Sequence, residues 1–251
     1  MIDHPSNFNS VLEGIFSKQR TQIYKRPEFE ERELADMLKE LSNIPLLHWD
    51  KYAFSRDPLE AKVSDENKQI YMGKSWECGI EWAEKLRMKY GDISAEKLAD
   101  LLDMNVEYPV LPENTDRVLF AEYREPNSIR IYLDAINRAR IFLEDNNIKE
   151  IIGEANISDI LLLHELFHSV EEKHKKEIYT KTEKTILWSI GPIQYKSNLI
   201  ALSEIAAMGF AFGYAKIDFS PYLLDILLVY GYSKNEASGL YEDMIELASD
   251  R

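Results

Sequence analysis

Cysteine and histidine are scarce in this chain, which has one cysteine and five histidines among 251 residues. The lone Cys78 excludes an internal disulfide, and there is no cysteine cluster to hold a structural metal. Long apolar runs are missing as well. The most hydrophobic stretches, residues 199–212 and 222–230, are short or carry charge, whereas a membrane span needs about 20 apolar residues in a row. Residues 1–7 show neither a basic nor an apolar signal region, so the expected location is the cytoplasm, with no membrane partner. Positive charge is in deficit: 30 Lys and Arg stand against 44 Asp and Glu, a net charge of -14 spread along the chain. No basic stretch interleaved with aromatics exists, and a generally negative surface disfavours nucleic acid, which is excluded as a partner. Internal repeats and low-complexity tracts are also lacking.

What remains is an ordinary globular composition, 45% hydrophobic and 29% charged, long enough for one large domain or two small ones. Val11, Leu12, Ile15 and Phe16 fit a short helix. From Pro27 to Leu41 an apolar stripe of Phe29, Leu34, Met37, Leu38 and Leu41 predicts another, which Pro45 breaks. The aromatic segment 46–52 reads as packed core, with pocket lining as the alternative. Residues 64–69 read as a solvated connection. Beyond it Trp76, Ile80, Trp82, Ala83, Leu86 and Tyr90 predict a helix closed by Gly91, and Ser94 caps the next one. These signals divide the chain into a helical N-terminal region, 1–75, and a second region, 76–251.

The period then shortens to two. Segments 105–110, 118–123 and 128–133 read as strands, the last two joined as a hairpin through Arg124-Glu125-Pro126-Asn127. Residues 135–146 return to helix, and residues 177–195 form a mixed segment interrupted by Gly191-Pro192. Apolar helices follow over 198–213, after Pro221, and over 237–248. The whole predicts an α+β fold, mainly helical, with a small three-stranded and largely antiparallel sheet.

One stretch carries chemistry. Asn156 caps a helix running over 157–175 that contains His164-Glu165-Leu166-Phe167-His168. Four residues apart, the two imidazoles share one helix face and can hold Zn²⁺ between them, while Glu165 can take a proton from a water at the metal. A catalytic zinc needs a third protein ligand. Glu204 is the only charged residue between Asn198 and Tyr214, and an ionised carboxylate there is costly unless it is paired or bound to metal. The alternatives are Glu171 or Glu172 as third ligand, or an ion pair of Glu204 with Lys196 or Arg138.

The pentad at 164–168 followed by a glutamate on a later helix resembles the gluzincin type of zincin metallopeptidase. Leu98-Ala99-Asp100-Leu101-Leu102, then a short sheet ending in 129–133, then the motif helix, is similar in order to small intracellular peptidases related to those that cleave phage repressors. The resemblance covers residues 92–213. It implies a zincin-like fold with the sheet packed on the motif helix and Zn²⁺ as cofactor. His164, His168 and Glu204 match its metal ligands and Glu165 its general base. It also implies a peptide or protein substrate laid along 129–133 as an edge strand. The chain departs from the pattern in an extra helical segment before the motif, a longer gap from His168 to Glu204, and Met208 where an aspartate often stands. Tyr179, Tyr195, Tyr214 and His174 are candidate oxyanion donors. The rival reading is a non-catalytic helical interaction protein with a structural or degenerate metal site, in which 46–52 forms a surface patch.

Overall fold

A computed structural model describes residues 29–110 and 119–249. The helix expected around residues 11–16, and Val118 at the start of a proposed strand, lie outside these described residues. The first element among the described residues is α1 (Leu34–Ser42), whose Leu34, Met37, Leu38 and Leu41 are buried as their spacing requires. A 3₁₀ turn over Leu46–Trp49 leads into α2 (Asp50–Phe54). Trp49 and Tyr52 are buried, and of the large apolar side chains here only Leu47 is exposed, so 46–52 is packed core and not a surface patch.

The long helix α3 spans Asp65–Tyr90. Residues 64–69 are thus its first turn and not a connection: Ser64 accepts a hydrogen bond from the Asn67 amide, the side-chain cap that starts a helix despite polar neighbours. Position 75 falls inside α3. Ser94 likewise caps α4 (Ala95–Leu101).

The sheet follows as β1 (Asn105–Glu107), β2 (Ala121–Arg124) and β3 (Ser128–Ile131). The β2–β3 hairpin is antiparallel, pairing Tyr123 with Ile129, as the turn residues require. β1 pairs in parallel with the other side of β3, Val106 opposite Ile129, so the sheet is mixed. β3 therefore lies in the middle, in the order β1-β3-β2, and the expectation that 129–133 forms an edge strand is corrected. Parallel partners need no local turn, so nothing in the sequence near β3 marks β1 as its neighbour.

The predicted helix over 135–146 is divided into α5 (Leu133–Arg140), a 3₁₀ turn, and α6 (Asn146–Ile152), which Asp145 caps. The motif helix α7 covers Ile157–Lys173, and Asn156 Oδ1 accepts from the Ser158 amide at 3.1 Å. It packs on β2 and β3. Next come the short α8 (Tyr179–Thr182) and an antiparallel hairpin, β4 (Thr185–Ile190) and β5 (Ile193–Ser197), turning at Gly191-Pro192. The mixed appearance of this segment hid alternating Ile186, Trp188 and Ile190, all exposed.

Helix α9 (Ile200–Ala215) is the central element: it packs on both α3 and α7. Its close approach to α3 depends on glycine. A Cβ on Gly79 would lie 2.6 Å from the Phe210 amide nitrogen, and one on Gly209 2.6 Å from the Trp76 carbonyl oxygen. Both ends of α9 are secured by residues from earlier in the chain. Asp57 Oδ2 accepts from the Ala201 amide at 2.9 Å, and Arg87 Nη2 donates to the Gly213 and Tyr214 carbonyls at 2.7 and 2.8 Å. Helices α10 (Leu223–Tyr230) and α11 (Lys234–Ser249) complete the fold. No helix among the described residues is long and apolar enough to cross a membrane.

Candidate metal centre

Residues 160–171 of α7 are all buried because the helix is enclosed by the sheet and by α9. Phe167 meets Phe210 of α9 with ring centroids 5.7 Å apart. Within this enclosure His164, Glu165 and His168 are 4%, 1% and 5% exposed. The motif is therefore enclosed, and the most exposed member of the cluster is Glu204, whose side chain is 19% exposed.

Glu204, one turn into α9, faces both histidines. Its Oε2 lies 3.2 Å from His164 Nε2 and its Oε1 3.7 Å from His168 Nε2. One ligand atom from each of His164, His168 and Glu204 falls within 4.8 Å of the others. Two atoms each about 2.1 Å from a tetrahedral zinc are about 3.4 Å apart, so the observed separations bracket what zinc requires. His168 Nε2 is buried and has no hydrogen-bond partner, a cost that a metal bond would remove. Two imidazoles and a carboxylate form a donor set suited to a divalent ion such as Zn²⁺. The residues present fit the ion.

Glu171, the alternative third ligand, lies on the other side of His168. Its Oε2 is 3.8 Å from His168 Nδ1, accepts from Ser203 Oγ at 2.7 Å and pairs with Lys181 Nζ at 2.9 Å, while its Oε1 accepts from Thr180 Oγ1 at 2.5 Å. Ser203 Oγ is also 3.2 Å from His168 Nδ1. This network leaves Nε2 as the nitrogen turned toward Glu204 and is the outer support that metal-binding histidines ordinarily have. Sequence reasoning missed Thr180, Lys181 and Ser203, which carry no local sign of the role; Ser203 is adjacent to Glu204, and this was the only available clue.

The charges of the cluster depend on one another. Burial alone would lift the Glu171 carboxyl, but the nearby His168 imidazole and the Lys181 charge hold it at about 2. Burial would lower the His168 imidazole, but Glu204, Glu171 and Glu165 push it up to about 9. Glu204 is lowered because the two histidines outweigh the effect of burial. Burial raises the Glu165 carboxyl, against the opposing pull of His164 and His168. Neither Glu165 oxygen meets the geometry of a hydrogen bond with a described residue; the backbone of Tyr123 in β2 joins the two histidines in favouring its charge.

The candidate oxyanion donors are placed elsewhere. Tyr195 stacks on Trp188 in the exposed β4–β5 hairpin, and Tyr214 lies against Arg87. Tyr179 lines a groove with Lys74, Cys78 and Trp82, and His174 meets Glu177 and the Trp82 ring. None of these four lines the cavity that touches Glu204, whereas Tyr222 does.

No protein-family model, no curated protein and no solved structure matches this chain. The reading of the site therefore rests on its own geometry.

Proposed function

We propose that the chain is a cytoplasmic zinc metallopeptidase of the gluzincin-like zincin type. In this reading His164, His168 and Glu204 hold the zinc and Glu165 is the general base. The observation that supports it most directly is the arrival of Glu204, from a helix 40 residues away in sequence, within 3.2 Å of His164 Nε2 and 3.7 Å of His168 Nε2, which has no hydrogen-bond partner among the described residues. Zinc, when bound, supplies a Lewis acid that polarises a carbonyl and acidifies the attacking water. Glu165 takes a proton from that water and returns it to the leaving amine, a role that suits a carboxylate whose affinity for protons is raised by burial. Glu171 and Ser203 keep the His168 ring oriented. The substrate is a peptide or protein. It does not pair with β3, because both sides of β3 are occupied.

A second reading has its own support. His164, Glu165 and His168 are at most 5% exposed, an enclosure that suits a structural metal as well as a catalytic one. A helical interaction protein with a structural metal would look the same at this level. Purified wild-type chain and Glu165→Gln should be compared for zinc content and for cleavage of a mixed peptide library. Zinc in both, with cleavage by wild type alone, supports the peptidase. Zinc in both without cleavage by either favours the structural site.

A further inference from the structure

Glu204 brings two carboxylate oxygens to the cluster, and one is enough for a metal bond. The other needs a hydrogen-bond donor, because a buried anionic oxygen without one is costly. His168 has its outer partners in Glu171 and Ser203. Within α9 the nearest hydroxyl to Glu204 in sequence is that of Ser203, which already donates to Glu171. The donor must come from another element.

Beside Glu204 lies a cavity of about 30 Å³, whose wall includes Tyr52, Arg56, Asp57, Met208 and Tyr222. A water needs roughly 10–15 Å³ of such space, so the cavity has room for about two waters. Most polar groups in this wall are already engaged. Tyr52 donates to Asp225 Oδ2 at 2.6 Å, Arg56 bonds Tyr52 and pairs with Asp225, and Asp57 accepts from the Leu59 and Ala201 amides. The exception is Tyr222, which is 4% exposed and whose hydroxyl has no hydrogen-bond partner among the described residues. Its ring is clamped by stacking on Trp49 at 5.3 Å and by an edge contact with Tyr52 at 5.7 Å. An unsatisfied donor and a carboxylate with an oxygen to spare thus share one cavity.

We propose that Tyr222 is a positioning residue for Glu204, donating its hydroxyl, directly or through one water, to the carboxylate oxygen that a metal leaves over. The proposal rests on the metal reading of the cluster. A phenol is a suitable donor here because its O–H can donate to a carboxylate oxygen. Tyr222 is thereby to Glu204 what Glu171 is to His168, and the segment from Trp49 to Asp57 gains a role as the wall that holds it.

The test is zinc affinity, measured with a competing chelator on wild type, Tyr222→Phe and Tyr214→Phe. Tyr214 is the control, since its hydroxyl is also buried without a hydrogen-bond partner but does not line the cavity. Loss of a ligand's outer partner weakens metal binding by about 10–100-fold, and that loss is expected for Tyr222→Phe alone. A Tyr222→Phe affinity within about twofold of wild type would overturn the proposal, as would an equal loss in Tyr214→Phe. Should Tyr222→Phe fail to fold, 3-fluorotyrosine at position 222 keeps the ring and the donor. Its fluorine resonance should then shift on zinc addition in wild type but not in Glu204→Gln, and a shift of equal size in both would overturn the anchor. A wild-type chain that binds no zinc would overturn the metal reading, and this proposal with it; a zinc-binding wild type with unaffected Tyr222→Phe overturns the anchor only.

Discussion

Glu171 and Glu204 approach His168 from opposite sides of its ring, Glu171 Oε2 at 3.8 Å from Nδ1 and Glu204 Oε1 at 3.7 Å from Nε2. The near-equal distances conceal different roles. Glu171 is occupied by Ser203, Thr180 and Lys181, whereas among the described residues Glu204 has only the two histidines as hydrogen-bonding or ion-pairing neighbours.

The first expectation follows from that asymmetry. Glu204→Ala should abolish tight zinc binding by removing a ligand, whereas Glu171→Gln should weaken it by about 10–100-fold by loosening the His168 ring. Chelator competition on both variants distinguishes them. Equal losses would mean that Glu171 is itself a ligand.

Glu165→Gln keeps size and burial but cannot accept a proton. Its hydrolytic rate should drop by about 10²–10⁴-fold with zinc content unchanged. Turnover retained at the wild-type level, measured with the same peptide, would remove Glu165 from the role of base.

Zinc should stabilise the fold by mass action. At a free concentration of 100 times its dissociation constant the gain is about 2.7 kcal/mol, which for a chain of this size corresponds to a Tm rise of about 5–10 °C. Thermal scans with zinc and with a chelator test this. A Tm insensitive to zinc would mean that the cluster does not bind it in the native state.

Gly79→Ala tests the scaffold that carries Glu204. The added methyl would press on the Ala206 carbonyl and lie 2.6 Å from the Phe210 amide nitrogen, forcing α3 and α9 apart. A loss of about 1–3 kcal/mol in chemical denaturation is expected, together with weaker zinc binding as Glu204 shifts. Wild-type stability in this variant would show that the two helices separate freely.

Asp57→Ala removes the side chain that satisfies the Ala201 amide at the start of α9. The expected cost is about 0.5–2 kcal/mol, the usual effect of losing a helix cap. Denaturation midpoints compared with an exposed substitution such as Glu66→Ala, in the first turn of α3, would show whether the cost is specific.

By itself the sequence determined whatever is decided within a few residues. The 3.6-residue apolar period, the caps at Ser94 and Asn156, and the turn of the β2–β3 hairpin act locally, and the pentad places His164 and His168 on one helix face without reference to the rest of the chain. Glu204 was legible for a related reason, since an isolated charge in an apolar helix has to be compensated wherever that helix goes. The tertiary structure alone decided which side of His168 each carboxylate occupies, that β3 is central, and that Tyr222 shares a cavity with Glu204. These depend on contacts between segments far apart in the chain. Their energies come from packing, as in the approach of α3 to α9 at Gly79 and Gly209, and leave no periodic trace in either segment.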